Sequence, residues 1–167
     1  NDFAVPDQLY HNQRDGTFRS VAGLVLPYTP YSAMGSDLGD VDNDGRPDLG
    51  LSTDATGPVL FLNRGTFAVT LRPWSPHERT IAFGDCDNDG LRDVLLTDGA
   101  AGPGLYRNLG DGGFSNLTVT STVVSPNPEG AGWLDYNRDG LLDPLVPSGN
   151  TGSVGLWRNM GNCVFTD

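Results

Sequence analysis

Three segments of the chain lie over one another without a gap: GDVDNDGRPDL at 39–49, GDCDNDGLRDV at 84–94 and LDYNRDGLLDP at 134–144. Their first aspartates, Asp40, Asp85 and Asp135, stand 45 and 50 residues apart. A period of this size constrains the fold more than any other feature, because a unit that recurs along the chain buries its apolar faces against its neighbours. The chain is therefore expected to be an array of similar supersecondary units.

A second signature alternates with the first: LYHNQRDGTF (9–18), LFLNRGTF (60–67), LYRNLGDGGF (105–114) and LWRNMGNCVF (156–165). Its asparagines, Asn12, Asn63, Asn108 and Asn159, recur at steps of 51, 45 and 51. Each copy reads as a short apolar strand, a turn containing Gly or Asp-Gly, and a second strand beginning at Phe, which is a β-hairpin. The Asp-rich segments are flanked by short apolar runs, AFG and VLLT around the second and AGW and PLV around the third, so each is also strand, loop, strand. Two hairpins per period make a four-stranded unit of the size of one β-propeller blade.

The expected fold is all-β, a single repeat region over 1–167. It opens with the second hairpin of a blade (1–22) and continues with blades at about 32–72, 79–121 and 129–167. Gly 23, Pro 12 and an apolar share of 37% agree with many turns and short strands. Some three and a half blades fall short of a ring of about 4 to 8. The chain, which begins at Asn1, is accordingly expected to be a piece of a longer propeller or to associate with other copies through its open edges.

The Asp-rich loops suit calcium, a hard cation that takes six to eight oxygen ligands from alternate side chains and a backbone carbonyl. In the first loop Asp40, Asp42 and Asp44 supply carboxylates at positions 1, 3 and 5, Arg46 its carbonyl at position 7, and Asp48 a closing carboxylate at position 9. The second offers Asp85, Asp87, Asp89, the Leu91 carbonyl and Asp93; the third offers Asp135, Asn137, Asp139, the Leu141 carbonyl and Asp143. Gly45, Gly90 and Gly140 at position 6 allow the sharp turn. Three calcium ions are expected, the third held less tightly because Asn137 is neutral. These are not EF-hands, since position 12 is Leu51, Leu96 or Val146 rather than a closing Glu, and a β-like run follows each loop. Oxygen-only ligation argues against zinc and copper.

Charge and cysteine usage exclude several classes. Eleven of the 21 acidic residues lie in the three loops, and the formal net charge is −11, which repels nucleic acid and anionic membranes. No apolar run approaches the 18 or so residues of a membrane span. The two cysteines, Cys86 and Cys163, make neither a disulfide scaffold nor a thiolate metal site; one bridge or two buried thiols both fit the sequence. His11 and His77 stand in no triad-like arrangement, and the paired carboxylates serve better as metal ligands than as an acid and base pair, so no enzymatic activity is expected. Trp133 and Trp157 fall within strand signatures and are expected to pack in the core. Asn116-Leu117-Thr118 forms a glycosylation sequon.

Phe83-Gly84 before Asp85, the three DxDxDG or DxNxDG loops with their closing Asp, and the LYxNxGDGxF hairpins together resemble the FG-GAP and VCBS repeat family, whose repeats build the integrin α-chain propeller and occur in many secreted proteins. The likeness spans nearly the whole chain. It departs at Leu38-Gly39 and Trp133-Leu134, where Phe-Gly is the pattern, and at LFLNRGTF, which is shorter by two residues. The resemblance implies calcium, a ring of six to eight blades and an extracellular or cell-surface setting. It leaves function open between a module for adhesion or for recognition of carbohydrate or protein and an accessory domain of a secreted enzyme, such as a polysaccharide-degrading one.

Strand alternation places any recognition surface. The metal loops are first turns and the Asp-Gly hairpins third turns of a blade, so both lie on one face. A carbohydrate or protein ligand is then expected on the opposite face, on the links 23–32, 72–79 and 121–129, with Tyr28, Tyr31, Trp74 and His77 as candidate contacts, although a Trp tucked over a blade edge is the readier reading of Trp74.

Overall fold

The computed structural model describes residues 7–30, 33–53, 57–71, 74, 78–98, 102–117, 128–149 and 152–166. Among these the chain is all-β apart from one helical turn, α1 (Ala22–Val25). The hairpin β1 (Tyr10–Asn12) and β2 (Phe18–Ser20) comes first. Then β3 (Ala33–Gly39), β4 (Asp48–Thr53), β5 (Val59–Asn63) and β6 (Phe67–Leu71) form an antiparallel meander, paired in chain order. The second sheet repeats that order with β7 (Glu78–Gly84), β8 (Asp93–Asp98), β9 (Gly102–Asn108) and β10 (Phe114–Leu117). No helix in the described residues is long and apolar enough to cross a membrane.

The third unit departs from the four-stranded expectation. Here β11 (Gly132–Leu134), β12 (Asp143–Pro147) and β13 (Val154–Leu156) form a three-stranded sheet, and β14 (Arg158–Asn159) pairs separately with β15 (Phe165–Thr166). The break falls at Trp157, whose N–H donates to the Pro144 carbonyl at 3.2 Å. Proline has no N–H to return, so the ladder loses one of its two bonds there. The second unit has Val94 at the matching place, and its ladder to Tyr106 is continuous.

Central strands carry unbroken apolar runs because they are covered on both sides. In β8, Val94 and Leu96 turn toward Trp74, Ile81 and Phe83, while Leu95 turns the other way onto Val146 and Trp157. In β5, Leu60 and Leu62 pack with Val41, Phe83 and Phe114, whereas Val59 and Phe61 meet Ala22 and Leu26. Alternate residues of one strand thus bind two neighbours. At the start of the link 23–32, α1 is one turn of helix, and Ala22 and Leu26 at its ends pack on Leu51, Val59 and Phe61 of the first sheet.

The sheets meet along their first strands through aromatic rings seated on glycines. Phe83 lies against Gly39, where an added Cβ would fall 3.1 Å from its ring, and against Gly50, at 2.7 Å. Gly84 in turn receives the Trp133 indole. Successive residues of a strand point to opposite sides, so Phe83-Gly84 gives an aromatic to one neighbour and a seat to the other. This explains the departures in the pattern. Gly39 and Trp133 keep the half that faces a neighbour, while Leu38 and Leu134 stand exposed on the outer sides of the array.

Cys86 and Cys163 are bridged, with Cα atoms 5.1 Å apart, which decides between the two readings of the sequence. The bridge ties the Asp loop of the second unit to the last hairpin of the third.

Candidate metal centres

Each Asp loop is organised by its own side chains. The first-position carboxylate reaches forward to two backbone N–H groups: Asp40 accepts from Asp44 (3.0 Å) and Gly45 (2.8 Å), Asp85 from Asp89 (3.1 Å) and Gly90 (2.9 Å), and Asp135 from Asp139 (3.1 Å) and Gly140 (3.0 Å). The fifth-position carboxylate accepts the N–H of residue 7 in each case, from Arg46, Leu91 and Leu141. Such local bonds bend the chain without help from distant residues. Position 6 is left-handed as expected, with φ of 84°, 88° and 84° at Gly45, Gly90 and Gly140. Position 4 is left-handed as well, at Asn43, Asn88 and Arg138, a feature the sequence reading did not single out.

The closing aspartates hold the loops to the body of each sheet. Asp48, Asp93 and Asp143 are fully buried. One oxygen of each accepts the N–H of loop position 2 (Val41 at 2.8 Å, Cys86 at 2.9 Å, Tyr136 at 3.2 Å). The other accepts the N–H of the hairpin asparagine (Asn63 at 2.7 Å, Asn108 at 2.9 Å, Asn159 at 2.7 Å). First and third turns of a unit therefore sit together on one face.

Carboxylates converge in the first two loops. Oxygens of Asp40, Asp42 and Asp48 lie within 4.8 Å of one another, and so do those of Asp85, Asp87 and Asp93. Two ligands on opposite sides of a calcium ion are about 4.6–5.2 Å apart, so these sets can share one. Moreover, Oδ1 of Asp42 and Oδ1 of Asp87 are buried without a hydrogen-bond partner among the described residues. A buried anionic oxygen left alone is costly, and a cation is the natural remedy. Burial raises the Asp48 carboxyl above its usual range, and it pushes Asp93 up to about 6; backbone N–H groups of Cys86 and Asn108 oppose the rise, and the charges of Asp87 and Asp89 add to it.

Other expected ligands are placed differently. Asp44 and Asp89 are not part of the convergent sets; Asp44 pairs with the Arg46 guanidinium and Asp89 with Arg107 at 3.2 Å. In the third loop Asn137 bonds within the loop, its Oδ1 accepting the Asp139 N–H and its Nδ2 donating to Asp139 Oδ2, each at 2.9 Å. Arginines beside the hairpin asparagines were missed by the sequence reading. Arg107 also contacts Asp87, Arg158 approaches Asp139 at 3.7 Å, and Arg64 approaches Asp42 at 3.9 Å. The recurring Arg-Asn of LYRN and LWRN was the available signal.

The aromatic candidates on the links fare unevenly. Trp74 is only 7% exposed and lies between Tyr106 and Phe114, ring centroids at 5.6 and 5.5 Å, so it packs the core and is withdrawn as a ligand contact. Tyr28 is partly exposed, with its ring 5.8 Å from Phe61. Tyr31 and His77 lie outside the described residues. Trp157 is buried and Trp133 partly so, as expected of core residues.

A family model described as FG-GAP-like repeat matches residues 2–51 and 85–146, together about two thirds of the chain. No curated protein matches.

Proposed function

The chain belongs to the FG-GAP-like repeat family, and from that premise we propose that it is a calcium-stiffened β-propeller module of about three and a half blades that presents a recognition surface for carbohydrate or protein outside the cell. The observation that carries the metal reading is the convergence of three carboxylates around a buried, unpartnered oxygen in each of the first two loops. In the first, Asp40, Asp42, Asp44, Asp48 and the Arg46 carbonyl would hold the ion; in the second, Asp85, Asp87, Asp89, Asp93 and the Leu91 carbonyl. In the third, Asp135, Asn137, Asp139, Asp143 and the Leu141 carbonyl are the equivalent donors. The ion supplies the positive charge that clustered aspartates lack, and so stiffens the loop. Loops tuned to alternating carboxylates and carbonyls suit the high calcium of the extracellular space, and a disulfide suits the same oxidising setting.

Ligand recognition falls to the face opposite the metal loops, on the links that include Tyr28. With the metal-loop face committed to ions and hairpins, the links are the part of the scaffold free to vary.

Calorimetric titration with calcium tests the reading. Three ions per chain are expected, each site adding about 2.7 kcal/mol of unfolding free energy at a hundredfold excess over its Kd. Fewer than two ions, or the same melting temperature in chelator, sinks it. A glycan array probed with the chain addresses the ligand.

A further inference from the structure

We infer that the three metal loops fill as a coupled set, joined by a buried hydrogen-bond relay whose connecting residues are Asn108 and Asn159; the inference rests on calcium occupying these loops. The relay can be followed bond by bond. Asp48 accepts the Val41 N–H at 2.8 Å, and the Val41 carbonyl accepts Nδ2 of Asn108 at 2.7 Å. The Asn108 N–H donates to Asp93 at 2.9 Å, and the other oxygen of Asp93 accepts the Cys86 N–H at 2.9 Å. The Cys86 carbonyl accepts Nδ2 of Asn159 at 2.8 Å, the Asn159 N–H donates to Asp143 at 2.7 Å, and Asp143 accepts the Tyr136 N–H. The closing carboxylate of every loop is thereby linked to the next.

Both asparagines also donate to position 8 of their own loop, at the carbonyls of Arg92 (3.1 Å) and Leu142 (2.9 Å). Each one therefore grips two loops at once. At 1% exposure neither has water to replace a lost partner. A second set of bonds runs along the rim: Asn43 donates to the Gly90 carbonyl at 3.2 Å and Asn88 to the Gly140 carbonyl at 3.0 Å. Cys86, itself a member of the relay, is covalently fixed to the third unit.

The physical consequence is shared ordering. An ion that fixes Asp48 fixes the Val41 peptide, which holds the Asn108 side chain, whose backbone orients Asp93 in the next loop. The second ion meets ligands already ordered and loses less conformational entropy on binding. Asn108 and Asn159 act as positioning residues, touching no ion themselves.

The test reads affinity at loops that are not altered. Asp135→Ala removes a ligand from the third loop, and among the described residues its carboxylate bonds only to N–H groups of that loop. Titrated with calcium by calorimetry, the variant should bind two ions about fivefold or more weakly than the same loops of the unaltered chain. If Asp135→Ala does not fold, Asn137→Ala carries the same expectation, since among the described residues its amide bonds only within its own loop. Two remaining sites with unaltered affinity overturn the coupling alone. An unaltered chain that takes up no calcium overturns both the coupling and the metal reading.

Discussion

Trp133 fills the space that a side chain on Gly84 would need: a Cβ there would lie 2.6 Å from the indole Cδ1. The indole also donates from Nε1 to the Ala82 carbonyl at 3.4 Å, which limits its freedom to withdraw. Gly84→Ala should therefore destabilise the chain by about 1–3 kcal/mol, the usual cost of overpacking. Gly39→Ala, where the nearest Phe83 atom is 3.1 Å away, should cost less. Urea denaturation of the two variants checks the order, and an equal cost would mean the seams are not close-packed.

The two kinds of aspartate in one loop should respond differently to the same change. Asp87→Asn is expected to lower the calcium stoichiometry by one, with a melt in chelator within about 1 kcal/mol of the unaltered chain, because the amide loses the ion pair with Arg107 but also removes a buried charge that opposes Asp93. Asp93→Asn should cost about 1–3 kcal/mol even in chelator. An amide oxygen replaces only one of the two carboxylate oxygens, and the Cys86 and Asn108 N–H groups each need one. Melts with and without calcium separate ligand loss from fold loss.

Removing the disulfide should loosen the array. The bridge closes a loop of 77 residues, and chain entropy gives it an upper value of about 4.5 kcal/mol. Changing both Cys86 and Cys163 to Ser, which avoids a stray thiol, should lower the melting temperature and abolish the response to reductant. A double variant that melts like the unaltered oxidised chain would show that the seam between the second and third units is held by packing alone.

Trp74→Ala should cost about 3–5 kcal/mol, as for other buried aromatics cut back to Ala. Its ring joins Tyr106 and Phe114 of the second sheet in the cluster that also holds Ile81, Val94 and Leu96. A thermal melt unchanged by the substitution would place the indole outside the core and restore it as a surface contact.

The local architecture was legible in the chain itself. Asp40 bonds to N–H groups four and five residues on, and Gly45 turns where a residue without Cβ turns most cheaply, so the loop is written within nine residues and recurs wherever those residues recur. The same holds for the hairpins that turn after Asn12, Asn63, Asn108 and Asn159 and for the apolar runs of β5 and β8. Pro144 was equally visible, although its effect on the third sheet required knowing that Trp157 stands opposite.

Contacts between units were decided by the tertiary structure. Asn108 meets Val41 across 67 residues, Asn159 meets Cys86 across 73, and Cys86 meets Cys163 across 77. Nothing in the spacing of these residues states that they touch, because the distance between them depends on how one sheet seats on the next, through Phe83 on Gly39 and Trp133 on Gly84. Trp74 shows the same limit from the other side. Its sequence allowed both a Trp tucked over a blade edge and a surface contact, and only the approach of Tyr106 and Phe114 shows what it tucks against. Sequence by itself determined what each unit is, since short-range bonds between side chain and backbone fix turns and strands; stacking determined which residues of different units share a site, since that follows from the shapes of two buried faces.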